Sequence, residues 1–400
     1  MFPHKSIHNI LKISAFILLF LGCDHKNDLQ SIEIKDLIKH DGSLSDKIIN
    51  LAHQMNISFK DPTSSQPLAS TGIVLENKSA EEFTDLVQGR HPAYPHFSLR
   101  QTGKERWQMS TNPTDVSSSD QIRFSPTTEQ ALQLLHTILA PAQDNTKDAC
   151  NLGMGIEQLP NQHNYEHVLL LGSTYQNFSQ RLVQLKKTLQ LAEQAPGFDP
   201  KKVTIFLISG IRSLLPDELE ALNQLESQYH SAIKGSKEHV ILQKIIKAKE
   251  TKNEFEMHDA QLADFALTIS PDYVYDFANE KSIAEGQARS STESTIAQYI
   301  KDQIVKNPKH WNQKNLLLIS THIFGLYQKL ITKRVLKSGS LMHKNLPYLG
   351  SVQVSSCALE SNESDHLDIF QKLAIATDNL SRIFYEIVNY KKAFGEYPSH

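Results

Sequence analysis

Three short runs in this chain are apolar at nearly every position: VLLL at 168–171, VTIFLIS at 203–209 and LLLIS at 316–320. A strand with one face in water alternates apolar and polar residues. A continuous apolar run has both faces covered, which is the pattern of a parallel strand between helical layers. Each run stops at small or hydroxyl residues, and an amphipathic stretch follows. After the first, Leu182, Leu185, Leu189 and Ala192 fall on one helix face. After the second, a helix is expected past Pro216, and two polar helical segments cover roughly 217–252. DYVYDF at 272–277 reads as a further strand, with a helix starting near Ser290. The helix after 320 is expected to run to Lys337, with Gly339 as its cap. VQVSSCA at 352–358 reads as a fifth strand, and Leu367, Phe370, Leu373, Leu380, Phe384 and Ile387 mark a closing helix.

Strands alternating with helices define an α/β fold, a Rossmann-like open parallel sheet with helices on both faces. Residues 161–400 are assigned to it. Residues 31–160 read as a mixed, mainly helical N-terminal region with loop-like stretches at 60–71 and 110–120. One helix is clear there, over 126–140, capped by Thr127 or Thr128.

The N-terminus carries a separate signal. Lys5 and Lys12 precede an apolar run over 13–22 that ends at Cys23. Such a run is too short to span a bilayer as a helix and suits the core of a signal peptide. LLFLGC resembles a bacterial lipobox, with Gly22 in place before the Cys and Phe20 where Leu is usual. The expectation is a lipoprotein signal peptide over 1–22, lipidation (palmitate) at Cys23 and a tether over 23–30. The alternative is an ordinary signal peptide or short anchor with a coincidental Cys. The expected place is the periplasmic face of a bacterial membrane. Loss of 1–22 removes two lysines from a chain of net charge −3, leaving about −5. Neither value favours nucleic acid. Cys150 and Cys357 can pair in an oxidising compartment, or stay as buried thiols.

Open parallel sheets bind ligands beyond the carboxyl ends of their strands. The turns there hold Gly172, Ser173 and the nearby Arg181; Ser209 and Gly210, followed by Arg212; Arg289 and Ser291; and Ser320, Thr321 and His322. Glycines, hydroxyls and helix N-termini suit an anion, because unpaired N–H groups point at it. Arg289 can add a bidentate contact. The plain alternative is that Gly and Ser are good turn residues, and that Ser290 with Glu293 forms a helix capping box.

In their order, these elements resemble the YdcF/SanA/ElyC-like family. LLLGST with Arg181-Leu182 is similar to that family's first Gly-rich turn and following helix, and LISGI at 207–211 to its Ser-Gly-Gly turn. Glu218 or Glu220 stands for its acidic residue, and ARSSTES at 288–294 for its Ser-Arg-Asn-Thr-x-Glu-Asn segment. LLLISTHIFGLYQ is similar to its last strand and turn, but Phe324 and Tyr327 occupy the family's His and Arg positions. The resemblance covers about residues 165–390. It implies a Rossmann-like domain of poorly defined activity, in a family of envelope and cytosolic proteins of which several are membrane-anchored and linked to envelope integrity. On it rests the expectation of an anionic ligand, a nucleotide or phosphorylated envelope precursor. Glu293 and His322 are the candidate acid–base groups should there be a reaction. A non-catalytic lipoprotein that binds an envelope protein through 31–150 is the alternative.

Other motifs carry less. His163-Asn-Tyr-Glu166-His167 fits H-x-x-E-H, but it runs into a strand, whereas zinc needs both His on one helix face. No metal is therefore expected. Gly153-Met-Gly155 lacks the rest of a dinucleotide fingerprint, and no cofactor is assigned. G-x-S-x-G, P-loop and C-x-x-C motifs are absent from the sequence, which argues against a standard serine hydrolase, an NTPase or a thioredoxin-like enzyme.

Overall fold

The computed structural model describes residues 31–55, 78–92, 98–100, 108–112, 126–141, 151–279, 291–342, 347–357 and 367–398. Its centre is a five-stranded sheet, parallel throughout: β1 (His167–Leu171), β2 (Thr204–Ser209), β3 (Val274–Asn279), β4 (Leu316–Ser320) and β5 (Val352–Ser356). The strand order is β3-β2-β1-β4-β5. This is the Rossmann-like arrangement that the continuous apolar runs predict.

Successive residues of each strand face opposite helical layers. On one side, Val168 and Leu170 of β1 and Ile205 and Leu207 of β2 pack on α4 (Tyr175–Glu193) through Phe178, Leu182, Leu185 and Leu189. On the other, Leu169, Leu171, Phe206 and Leu318 pack on α8 (Thr292–Lys306) and α9 (Gly325–Met342). Both faces are dry, so β1 is apolar at every position after His167. α5 (Pro216–Tyr229), α6 (Lys237–Thr251) and α7 (Glu254–Ala266) complete the first side.

A third layer lies outside α9. The closing helix α10 (Ile369–Phe394) is buried around most of its girth by α2 (Ala80–Val87), α3 (Thr128–Leu139) and α9, and α1 (Asp46–Gln54) packs against α3. Phe83 and Phe384 meet edge to face with centroids 4.6 Å apart. The described residues within 32–154 and α10 thus share one hydrophobic core with the start of α9. The division expected near residue 160 does not separate two cores.

Four local expectations need correction. β3 begins at Val274 rather than 272, because residues 271–272 form a turn. Gly339 lies inside α9 instead of capping it; a Cβ there would come within 3.1 Å of Ile300 Cγ2, so the glycine lets α8 and α9 approach. α8 is capped by Ser291, whose hydroxyl accepts from Ser294 N–H while Ser294 Oγ accepts from Ser291 N–H. The box expected at Ser290 and Glu293 is one residue out of register. α7 has no counterpart in the sequence reading, because both its faces are packed and its apolar residues show no simple stripe. Among the described residues, no helix is long and apolar enough to cross a membrane.

Candidate functional site at the carboxyl edge of the sheet

From β1 the chain steps outward to β2 and β3, then returns beside β1 as β4. The helices after β1 and β4, α4 and α9, leave on opposite faces. Their divergence opens the crevice at which such sheets take ligands. Gly172, Ser173 and Thr174 border it from β1, and Ser320, Thr321 and His322 from β4.

On the β2 side of β1 the chain fills the available positions itself. His258, on α7, is fully buried and stacks on Phe178 with centroids 4.1 Å apart. Its Nε2 lies 2.7 Å from the Ser173 carbonyl, so Nε2 carries the proton. Nδ1 is therefore bare and accepts from Ser209 Oγ at 3.0 Å. Burial holds this imidazole neutral, with its pKa lowered to about 3. Gly172 makes the arrangement possible, because a Cβ there would come within 2.6 Å of Ser209 Oγ and 3.1 Å of His258 Cε1.

The N-terminus of α4 is occupied in the same way. Glu218, 1% exposed, accepts from Tyr175 N–H at 3.1 Å and from Leu215 N–H at 2.8 Å. Arg212 grips the same carboxylate with both terminal nitrogens, at 2.6 and 2.5 Å, and its Nε lies 3.0 Å from Glu254. The positive end of the helix thus holds an internal carboxylate. Of the two acidic residues considered from the sequence, Glu218 is the buried one and Glu220 is exposed.

The β4 side differs. Arg181, 3% exposed, donates to the carbonyls of Leu171 and Gly172 at 2.6 and 2.9 Å and reaches Thr321 Oγ1 at 3.4 Å. It ties the ends of β1 and β4 together and puts a fixed positive charge beneath the crevice. Ser320 Oγ turns back to the Thr321 carbonyl at 3.0 Å. His322 is half-buried, and its ring has no hydrogen-bond partner among the described residues. Desolvation lowers its pKa to about 4, so it is neutral near pH 7.

The next residue, Ile323, has φ of +55°, a conformation that a β-branched side chain rarely adopts. It is pinned from both sides: its N–H donates to Met154 O at 3.2 Å, and Asn379 Nδ2 donates to its carbonyl at 2.5 Å. Strain of this kind costs on the order of 1–3 kcal/mol and persists where the surroundings over-determine it.

The remaining candidates lie apart from this edge or outside the description. Glu293 is held by both terminal nitrogens of Arg334, at 2.9 and 2.8 Å, and this pairing keeps its pKa below the usual value. Arg334 Nε donates to Glu386 on α10 at 2.8 Å. Glu293 is thus an ion-pair member that joins α8, α9 and α10, and a standing carboxylate rather than a proton donor. Ser291 caps α8. Arg289, Cys23 and Cys150 lie outside the described residues. In the H-x-x-E-H segment, Glu166 pairs with Lys314 at 2.6 Å and His167 Nδ1 lies 2.7 Å from Tyr299 Oη. No group of three or more His, Cys, Asp or Glu is placed to hold a metal among the described residues.

The sequence reading missed His258, Arg334 and Asn379. None sits in a turn after a strand; each reaches its partner from a helix distant in sequence. No family model, curated protein or solved structure matches the chain.

Proposed function

We propose that this protein binds a small anionic molecule, a nucleotide or a phosphorylated envelope precursor, in the crevice between β1 and β4. Ser173 and Thr174 supply hydroxyls at the start of α4. His322 supplies a neutral imidazole that donates one N–H. Arg181 contributes its charge from below without leaving the carbonyls it holds. In this reading the protein acts in cell-envelope maintenance, held at the periplasmic face of a membrane by lipid on Cys23. The observation that carries the proposal is the contrast across β1. Its β2 side is filled by the chain's own histidine and carboxylate, while His322 on the β4 side stands without a partner among the described residues.

The test is native mass spectrometry of the full chain for a co-purifying phosphate-bearing species, with His322→Ala as control. Thermal shift with nucleotides and sugar phosphates follows. A species retained by the wild type and lost in His322→Ala supports the proposal. Identical, empty spectra and no thermal shift refute it.

The second reading is a non-catalytic lipoprotein whose N-terminal layer binds an envelope protein. It is favoured by Glu218, which occupies the one helix terminus that the fold would otherwise offer an anion at β1. Deleting residues 31–150 is a poor test of it, because that segment completes the core around α10. Exposed-face substitutions on α1 or α3 are the appropriate ones. They should abolish capture of the partner and leave the fold intact.

A further inference from the structure

Lys329 and Lys333 stand one turn apart on α9, on a face of the helix that borders the segment 32–37. Both are half-buried. Neither ammonium has a hydrogen bond or ion pair among the described residues. Lys337, on the next turn of α9, by contrast pairs with Glu396 at 2.5 Å. Glu33 is the acidic group whose field reaches Lys329, and its carboxylate is already 3.0 Å from Lys35 Nζ.

Two adjacent desolvated ammonium groups repel each other and lose hydration without repayment. Burial lowers both pKa values, and the charge of Lys329 lowers that of Lys333 further. Leu326 and Leu330, on the same side of α9, supply apolar contacts to the core. A pair retained at a cost to stability fits a ligand that supplies the missing charge.

We infer that Lys329 and Lys333 form a binding site for a phosphate group, separate from the crevice between β1 and β4. At this spacing the side chains start about 5–6 Å apart and can bracket the oxygens of one phosphate. A phosphate monoester carries about −1.5 to −2 at neutral pH and matches both charges, where a carboxylate matches one. Lysine serves as a mobile point charge in such sites. The phosphate belongs either to a free anion or to a lipid headgroup, and experiment separates the two.

The experiment is trace acetylation of the full chain with acetic anhydride, read lysine by lysine by peptide mass spectrometry. It is run alone, with inorganic phosphate, with phosphatidylcholine vesicles and with vesicles containing phosphatidic acid, whose headgroup is a phosphate monoester. The exposed Lys237 is the internal reference. With a ligand near saturation, Lys329 and Lys333 should acetylate roughly tenfold more slowly and Lys237 at an unchanged rate. Protection by inorganic phosphate identifies a free anion. Protection only by the phosphatidic acid vesicles identifies a lipid headgroup. Absence of protection in every arm overturns the proposal. As a second measurement, the protecting agent should raise the Tm of the wild type. The double variant Lys329→Gln, Lys333→Gln should start from a higher Tm than wild type and show no such rise. A double variant that unfolds at lower temperature, or that keeps the ligand-induced rise, also overturns it.

Discussion

Glu218→Gln is the most incisive single test of how the carboxyl edge is built. Glutamine has nearly the shape of glutamate, so the change alters charge and donor pattern with little change in packing. Four donors converge on the native carboxylate: two terminal nitrogens of Arg212 and the N–H groups of Tyr175 and Leu215. Replacing Oε1 by NH2 sets a donor against Tyr175 N–H and one Arg212 nitrogen. Replacing Oε2 does the same to Leu215 N–H and the other. In either orientation two donors lose their acceptor inside a site that is 1% exposed. Removing one partner of a buried pair costs about 3–5 kcal/mol. Glu254 still holds Arg212 Nε at 3.0 Å, so the guanidinium is not wholly orphaned and the lower end applies, about 3 kcal/mol. For a chain of 400 residues that corresponds to a fall in Tm of roughly 3–5 °C. The assay is urea denaturation followed by circular dichroism, beside thermal melts, with the exposed Glu220→Gln as control. Arg212→Met combined with Glu218→Gln should cost less than the two single changes together. A Glu218→Gln midpoint equal to that of Glu220→Gln would refute the reasoning, because it would mean that the carboxylate is not the centre of a desolvated network.

The other predictions concern the same edge. Gly172→Ala drives a methyl into Ser209 and His258 and should destabilise by about 1–3 kcal/mol in urea titrations. Arg181→Met leaves the Leu171 and Gly172 carbonyls without their donor, and should both lower the urea midpoint and weaken any crevice ligand. Acid should destabilise through His258. Its folded pKa, about 3, lies below the ordinary value near 6.5, so the unfolded chain binds the proton first. This contribution is complete above about pH 6.5 and falls by about 1.4 kcal/mol per pH unit from there towards pH 3. His258→Gln should remove that part of the slope between about pH 6.5 and 5 in pH-dependent urea midpoints. An unchanged slope would show that His258 is not held neutral.

The sheet was legible because its constraint is local in sequence. When both faces must be dry, every position has to be apolar: Val168, Leu169, Leu170 and Leu171 each meet a different helical layer from the residue before. The turns were legible for the same reason, since a strand that ends must expose its carbonyls and small residues follow. What those turns do was harder to read. Ser209 looks like a ligand contact until His258, forty-nine residues later, is seen to accept its hydrogen bond. Arg181 looks like an anion clamp until its donors are found on backbone carbonyls. Glu293 matches a capping pattern and a family position, yet its partner is Arg334 on another helix. Hydrogen bonds between side chains distant in sequence leave no periodicity, so the pattern of residues predicts where the edge is and not which groups at that edge remain unspent.

The burial of α10 has a consequence for the order in which the molecule can be assembled. The described helices of the segment 32–154 share their core with Leu373, Leu380, Ile383, Phe384 and Ile387 of α10. Several pairings span the described chain: Gln88 Nε2 to the Ser381 carbonyl at 3.2 Å, Thr111 N–H to the Phe370 carbonyl at 3.2 Å, and Tyr397 Oη to Glu81 at 2.9 Å. Closing loops of that length is slow. During synthesis the early helices emerge first and must wait, apolar faces uncovered, while the whole sheet is made. The pinning of the Ile323 turn needs α10 in place, because Asn379 on α10 supplies one of its bonds. The strained corner beside the crevice therefore takes its final shape only when the last helix docks, and a chain cut short before α10 would carry the strands of the sheet without the geometry of its edge.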